Sequence, residues 1–451
     1  MENYNKGFVY FICIVSAMGG LLFGYDWVVI GGAKIFYEQY FGIVGNPSMQ
    51  ELAMSIALAG CLIGALTAGL LADKLGRKLL LLVSAFMFMV TAYGTGAFNS
   101  FALFLAVRFF GGIAIGIASG LSPMYIAEVA PASIRGRLVS LNQLTIVVGI
   151  LAAQVVNWLL VSDSDVWNRE MAWRWMFWAA AFPAFVFLFM ALFIPESPRW
   201  LAMSGKKDMA LFTLSKIGGR EYAQRELRTF EEAEMQKKSQ GGLKQLFSKS
   251  CRLMLVLGII VAMFQQWCGT NVIFNYAQEI FQSAGYDVDN TFINIVVTGI
   301  ANLVFTFVAI YTVDRLGRRV LMLVGAGGLA GIYAILGTCY YMEVNGVMMV
   351  VLVVLAIACY AMSLGPVTWV LLSEIFPNRI RAVAMSVATF ALWMASCILT
   401  YTFPFLNTFL GTSGTFWIYS CICIAGFVFF FFRLPETKGK SLEELGKVLS
   451  E

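Results

Sequence analysis

An aspartate and an arginine stand where charge is costly. Asp26 falls inside the apolar run 8–32 and Arg108 inside the run 101–126. Asp26 lies about seven residues before the end of its run and Arg108 about seven after the start of its own, which puts both ~10 Å from the same side of the membrane. An ionised side chain in hydrocarbon costs several kcal/mol unless it is paired or hydrated, so such a residue is a functional candidate by default. The two serve either as a static tie or as a proton site, with Asp26 the carrier and Arg108 its modulator. A conformational change that parts them would then load and unload the proton.

A second set of side chains is polar but uncharged. Gln265, Gln266, Asn271 and Asn275 share one apolar run, Asn302 lies in the next, and Trp369 and Trp393 lie in later ones. Asn271 and Asn275 share a helix face, and Gly269 allows unwinding beside Gln265 and Gln266. Amides and indoles of this kind either tie helices together or offer donors, acceptors and a flat apolar face to a neutral polyhydroxylated solute.

The third set sits at the ends of apolar runs: Asp73, Arg77, Glu128, Arg135, Arg137, Glu196 and Arg199, then Asp314, Arg318, Glu374, Arg381 and Glu436. These are either solvated topological charges or a gate of salt bridges holding two bundles together. Isolated surface pairs contribute only ~0–1 kcal/mol, but a network need supply only a few kcal/mol to bias two states.

Other chemistry is excluded by composition. The chain has no histidine, which removes histidine triads, histidine metal sites and histidine proton relays. Its nine cysteines lack disulfide or metal-ligand spacing. No metal or cofactor is expected, apart from a proton as coupling ion.

What positions these groups is a set of membrane spans. The 451 residues are 60% hydrophobic and 13% charged, against about 25% charged in a soluble domain. Apolar runs at 8–32, 52–72, 79–98, 101–126, 138–161, 173–194, 253–281, 292–313, 320–342, 347–372, 382–409 and 414–433 are each long enough to cross. The spacing predicts an all-α membrane protein of twelve transmembrane helices in two six-helix bundles. The expected organisation is an N-terminal bundle (1–198), a cytoplasmic helical linker (199–250), a C-terminal bundle (251–434) and a cytoplasmic tail (435–451). Within the linker, 221–238 reads as an exposed amphipathic helix. Lys and Arg concentrate in alternate loops, the linker and the tail, which places both termini in the cytoplasm. The net charge of +5 reflects this bias and not a nucleic-acid partner.

The halves repeat. Asp73-Lys74-Leu75-Gly76-Arg77-Lys78 returns as Asp314-Arg315-Leu316-Gly317-Arg318-Arg319, Glu128 with Arg135 and Arg137 as Glu374 with Arg379 and Arg381, and Pro195-Glu196-Ser197 as Pro435-Glu436-Thr437. Parallel repeats are a known transporter plan, with the site between the halves.

Together with Gly24-Tyr25-Asp26, Arg108-Phe109-Phe110-Gly111-Gly112, Pro123-Met124-Tyr125-Ile126-Ala127-Glu128, Gln265-Gln266, Gly365-Pro366 and Pro435-Glu436-Thr437-Lys438-Gly439, these motifs cover nearly the whole chain. The sequence resembles the sugar porter family of the major facilitator superfamily, and within it the bacterial proton-coupled pentose and hexose symporters. The resemblance implies the major facilitator fold and alternating-access import of a monosaccharide by sugar:proton symport. An uncoupled sugar or polyol facilitator and a sugar sensor are the alternatives; an enzyme is not expected. It places Gln265, Gln266, Asn271, Asn302, Trp369 and Trp393 at sugar-contacting positions, Asp26 at the proton-linked acid, and the loop charges in a cytoplasmic gate. The chain departs from the family at Ile150, where a glutamine is usual, and at Leu392, where an amide often precedes the tryptophan. Asn275 and Leu364 replace common aromatics. A sugar presenting fewer hydroxyls on one side, or another pose, would suit Ile150 and Leu392. No glycosylation sequon is present, because Asn46-Pro47-Ser48 is blocked by proline. A monomer in a bacterial inner membrane, in contact with lipid, sugar and proton, is expected.

Overall fold

The computed structural model describes residues 4–131, 134–162, 164–239, 249–344, 346–376 and 381–437. These residues are almost wholly helical and contain no strand. Hydrocarbon offers no partner to a free N–H or C=O, so a spanning segment must satisfy its backbone internally. Eleven helical tracts among them are long and apolar enough to cross a bilayer. The last, Ala384–Arg433, has 50 residues and is interrupted at Gly411 (φ 69°, ψ 172°), so it supplies two crossings. The described residues thus make twelve spans, as the sequence predicts.

Boundaries differ from expectation in instructive places. The first helix runs Lys6–Phe41, 36 residues, where the apolar run alone predicted an end at 32. Nothing breaks it before Gly42, whose left-handed φ of 66° closes the helix. Lys34 and Glu38, which lie beyond that run, are therefore inside a helix and buried. The second helix begins at Pro47 and takes in Glu51, which the sequence left outside its span. The seventh span is in pieces, Lys249–Trp267, Thr270–Asn275 and Ala277–Ser283, with Gly269 left-handed at φ 88°. The tenth breaks between Val347–Ala361 and Leu364–Ile375.

Packing repeats the sequence repeat. In the first half the first span packs on the fifth, the second on the fourth and the third on the sixth. Six spans later the seventh packs on the eleventh, the eighth on the tenth and the ninth on the twelfth. The halves meet where the second span lies on the eleventh, the fifth on the eighth and the first on the seventh. Small residues bring backbones together: Gly60 and Gly64 of the second span face the main chain of Phe109 and Ile113, while Gly112 and Gly116 face Ala57 and Cys61.

Between the halves run Pro198–Met203 and Lys207–Ser239, the latter kinked at Gly218 and Gly219. The N-terminus is tied to this linker by Asn5 N–H donating to Ile217 O at 2.9 Å. This side is called the linker face below, and the other the far face.

A Cβ at residue 112 would enter the Ala57 carbonyl. Gly112→Leu is therefore expected to destabilise the first half by about 1–3 kcal/mol, read as a lower thermal midpoint in detergent.

Candidate functional site

At the linker face the two charged loops fold alike. Gly76 and Gly317 have φ of 92° and 91°, which only glycine adopts freely, and each opens the next helix. Glu196 accepts from the N–H groups of Arg77 (2.9 Å) and Lys78 (3.1 Å); Glu436 accepts from Arg318 (3.0 Å) and Arg319 (3.1 Å). A carboxylate on exposed helix N–H groups suits the dipole there. Arg77 donates to Glu128 at 3.1 Å and to Asp73 at 3.1 Å; Arg318 donates to Glu374 at 2.8 Å. Ser197 and Thr437 complete the copies by donating to Glu128 and Glu374 at 2.5 and 2.6 Å. All of these bonds lie within one half. Arg135, Arg137 and Arg199 are exposed. The side chains of Asp314 and Arg381 lie outside the described residues.

The intramembrane charges meet. Arg108 donates to Asp26 at 2.7 Å, with 3% and 15% of the two side chains exposed, and Arg108 lies 5.3 Å over the Phe177 ring. The matched depth inferred from the sequence holds even though the first helix extends further than its apolar run. The second Asp26 oxygen is buried without a hydrogen bond. It borders a cavity of ≈ 20 Å³ lined also by Trp27, Met54, Cys61 and Asn275, so it is shared by the two halves. That volume holds about one water.

The unwound seventh span turns its amides into a chain. Gln265 donates to the Tyr360 hydroxyl at 2.8 Å, Gln266 donates to Gln265 at 2.7 Å, and Asn271 donates to Gln266. Trp393 packs against Phe23 and Trp27 of the first span, with centroids 5.5 and 5.7 Å away, and its indole N–H is buried without a partner. Asn302 is buried on the eighth span and Trp369 half-buried on the tenth. Neither joins the amide chain. Ile150 and Leu392 are buried in the apolar core.

Three features escaped the sequence reading. Tyr360 partners the amides but sits in a featureless apolar run. Gln154, one turn beyond Ile150, is 1% exposed with neither side-chain oxygen nor nitrogen bonded, beside Gly299 of the eighth span. The fifth span therefore does carry a buried amide, displaced by four residues, and the spacing of Gln154 from Ile150 could have signalled it. Finally, the far face has its own polar cluster. Lys34 pairs with Glu279 at 2.5 Å and lies 4.7 Å over the Tyr276 ring. Gln278 donates to Gly32 O at 2.9 Å, and the Tyr276 hydroxyl lies 2.7 Å from Glu51. These contacts all join the two halves.

Twelve spans in two like halves, with polar groups buried at their interface, define a membrane transporter of the major facilitator fold. The chain belongs to the family described as Sugar (and other) transporter, which it matches over residues 12–449. It is 37% identical over 450 residues to the arabinose-proton symporter of Bacillus subtilis, covering 99% of this chain and 96% of that protein. It is also 37% identical over 475 residues to the D-xylose-proton symporter of Escherichia coli, covering 98% and 96%. A partially occluded inward-open structure of the E. coli xylose transporter XylE matches with a TM-score of 0.87 at 35% identity, covering 97% of this chain and 100% of that one.

Arg108→Ala would leave the Asp26 carboxylate buried without its counter-charge. Breaking one side of such a pair costs about 3–5 kcal/mol, so the thermal midpoint should fall sharply. Replacing both residues, with Asp26→Asn added, should recover part of the loss in the same measurement.

Proposed function

We propose that the protein imports a monosaccharide by alternating access, coupled to inward movement of a proton. The observation that carries this reading is the Asp26–Arg108 pair, buried at a cavity shared by the two halves. In this reading Asp26 takes the transported proton when Arg108 moves away, because removing a counter-charge in a dry site favours the neutral acid. The two relatives named as arabinose and D-xylose proton symporters support the same chemistry.

The sugar would lie between the halves. Gln265, Gln266 and Asn271 rearrange from their mutual bonds to its hydroxyls, joined by Gln154, Asn275, Asn302 and Tyr360. Trp369 and Trp393 supply flat faces for its C–H groups. Ile150 and Leu392 present no hydrogen bond, which favours a solute with fewer hydroxyls on that side. The linker face carries the Lys and Arg bias and would be cytoplasmic, with both termini, in a bacterial inner membrane. Residues 1–198 and 251–434 act as the moving bundles of a monomer, 199–250 as their linker and 435–451 as a tail. The charges at the linker face gate that side. Paired within each half here, they would exchange partners across the halves when that face closes.

Uptake into proteoliposomes with an imposed inward proton gradient tests this. One pentose or hexose is expected to overshoot equilibrium, and the overshoot should vanish with a protonophore. Asp26→Asn should abolish the overshoot yet retain counterflow. Saturable uptake that only equilibrates in the unaltered protein would make transport uncoupled.

A further inference from the structure

The far-face cluster contains a hydrogen-bond count that does not close if every carboxyl is ionised. Glu51, on the second span, is 1% exposed. Its Oε2 lies 2.7 Å from the Tyr276 hydroxyl, and that hydroxyl lies 2.8 Å from the Thr400 carbonyl oxygen. Both are hydrogen-bond lengths. A phenol brings one hydrogen, and a carbonyl oxygen brings none. With Glu51 as a carboxylate, one of the two contacts would set lone pair against lone pair inside a buried interface. With Glu51 as a carboxylic acid, its O–H donates to Tyr276 and Tyr276 donates to Thr400, so both contacts are hydrogen bonds.

The surrounding charges favour the same assignment. From the first span Lys34, Tyr37 and Glu38 face this carboxyl, and from the seventh Tyr276 and Glu279. The eleventh contributes the Thr400 carbonyl, and Arg108 of the fourth acts on Tyr37 while bonded to Asp26. Lys34 bonds Glu279 at 2.5 Å and lies 3.9 Å from Glu38, so its charge is already shared. Glu38 Oε1 and Glu279 Oε2 are themselves buried without hydrogen bonds. A third ionised carboxylate would have to share that same lysine with Glu279 and Glu38.

We propose that Glu51 is a second proton-binding site, distinct from Asp26, which fills as the far face closes and empties as it opens. Glu51 belongs to the first half, while Tyr276 and Thr400 belong to the second. Parting the halves on this side exposes Glu51 to water and removes its acceptor. On closure the carboxylate takes one proton from water on the far face. On opening it returns that proton to the same face, so nothing is transported by this group. The linkage has one sign: the proton is bound only in the closed state, so closure strengthens as pH falls and weakens as it rises.

Hydrogen exchange of the full chain in lipid nanodiscs reads this without any solute, and so independently of whether sugar transport is confirmed. Exchange of the segment 270–283, corrected for intrinsic rates, is followed from about pH 5 to about pH 8. In the unaltered protein it should accelerate as pH rises. Glu51→Gln, whose amide N–H can donate to Tyr276 at every pH, should stay protected and lose the pH dependence. Glu51→Asp should keep that dependence, which separates titration from a folding defect, and Asp26→Asn should keep it too. The proposal is overturned if Glu51→Gln responds to pH like the unaltered protein, or if the response is lost in Asp26→Asn instead.

Discussion

Moving an ionised side chain from water into a bilayer costs several kcal/mol, so each buried charge here must be answered by a nearby group. Where that partner sits determines what the bond does. At the linker face Arg77 and Arg318 find Glu128 and Glu374 within their own halves. Each bundle is thereby tied within itself at that end. At the far face Lys34 finds Glu279 in the other half. The same physical requirement stiffens the bundles on one side and joins them on the other.

Much of this was legible in the residues. The apolar runs gave twelve crossings, and the motif repeat anticipated a packing repeat that the structure carries down to the two glutamates capping the third and ninth spans. That transfer works because the D-x-L-G-R turn is local: a positive φ needs glycine, and the freed N–H groups need a carboxylate. Asp26 and Arg108 were legible for a different reason, since a charge inside an apolar run announces itself. Gly269 also signalled the unwinding that faces the amides of the seventh span toward one another.

What the sequence hid was set by distant partners. Hydropathy ends a span at its first charges, yet Lys34 and Glu38 continue the first helix because Glu279 lies across the interface. Glu51 reads as loop until Tyr276, more than two hundred positions later, is seen against it. Ile150 looks like the loss of an amide until helical geometry brings Gln154 round one turn on. For the charged groups the deciding contact lies between helices and no local pattern reports it, whereas Gln154 needed only the i,i+4 spacing within its own helix.

The strength of the far-face closure matters as much as its position. A bond to a charged group contributes about 1.5–3 kcal/mol and a neutral one about 0.5–1.5. Lys34–Glu279, Gln278–Gly32 and Glu51–Tyr276, the last as a neutral pair, together hold the far face with about 2.5–6 kcal/mol. Taking a two-state equilibrium from one extreme to the other needs about 5.5 kcal/mol. The closure is therefore of the size that binding of one small ligand can offset. Fewer cross-half bonds would leave the face open to leak. A larger set would trap the protein in one state, because no single solute or proton supplies enough differential binding to release it. A few bonds between the halves, with a titratable group among them, is the arrangement that lets the interface both close and yield.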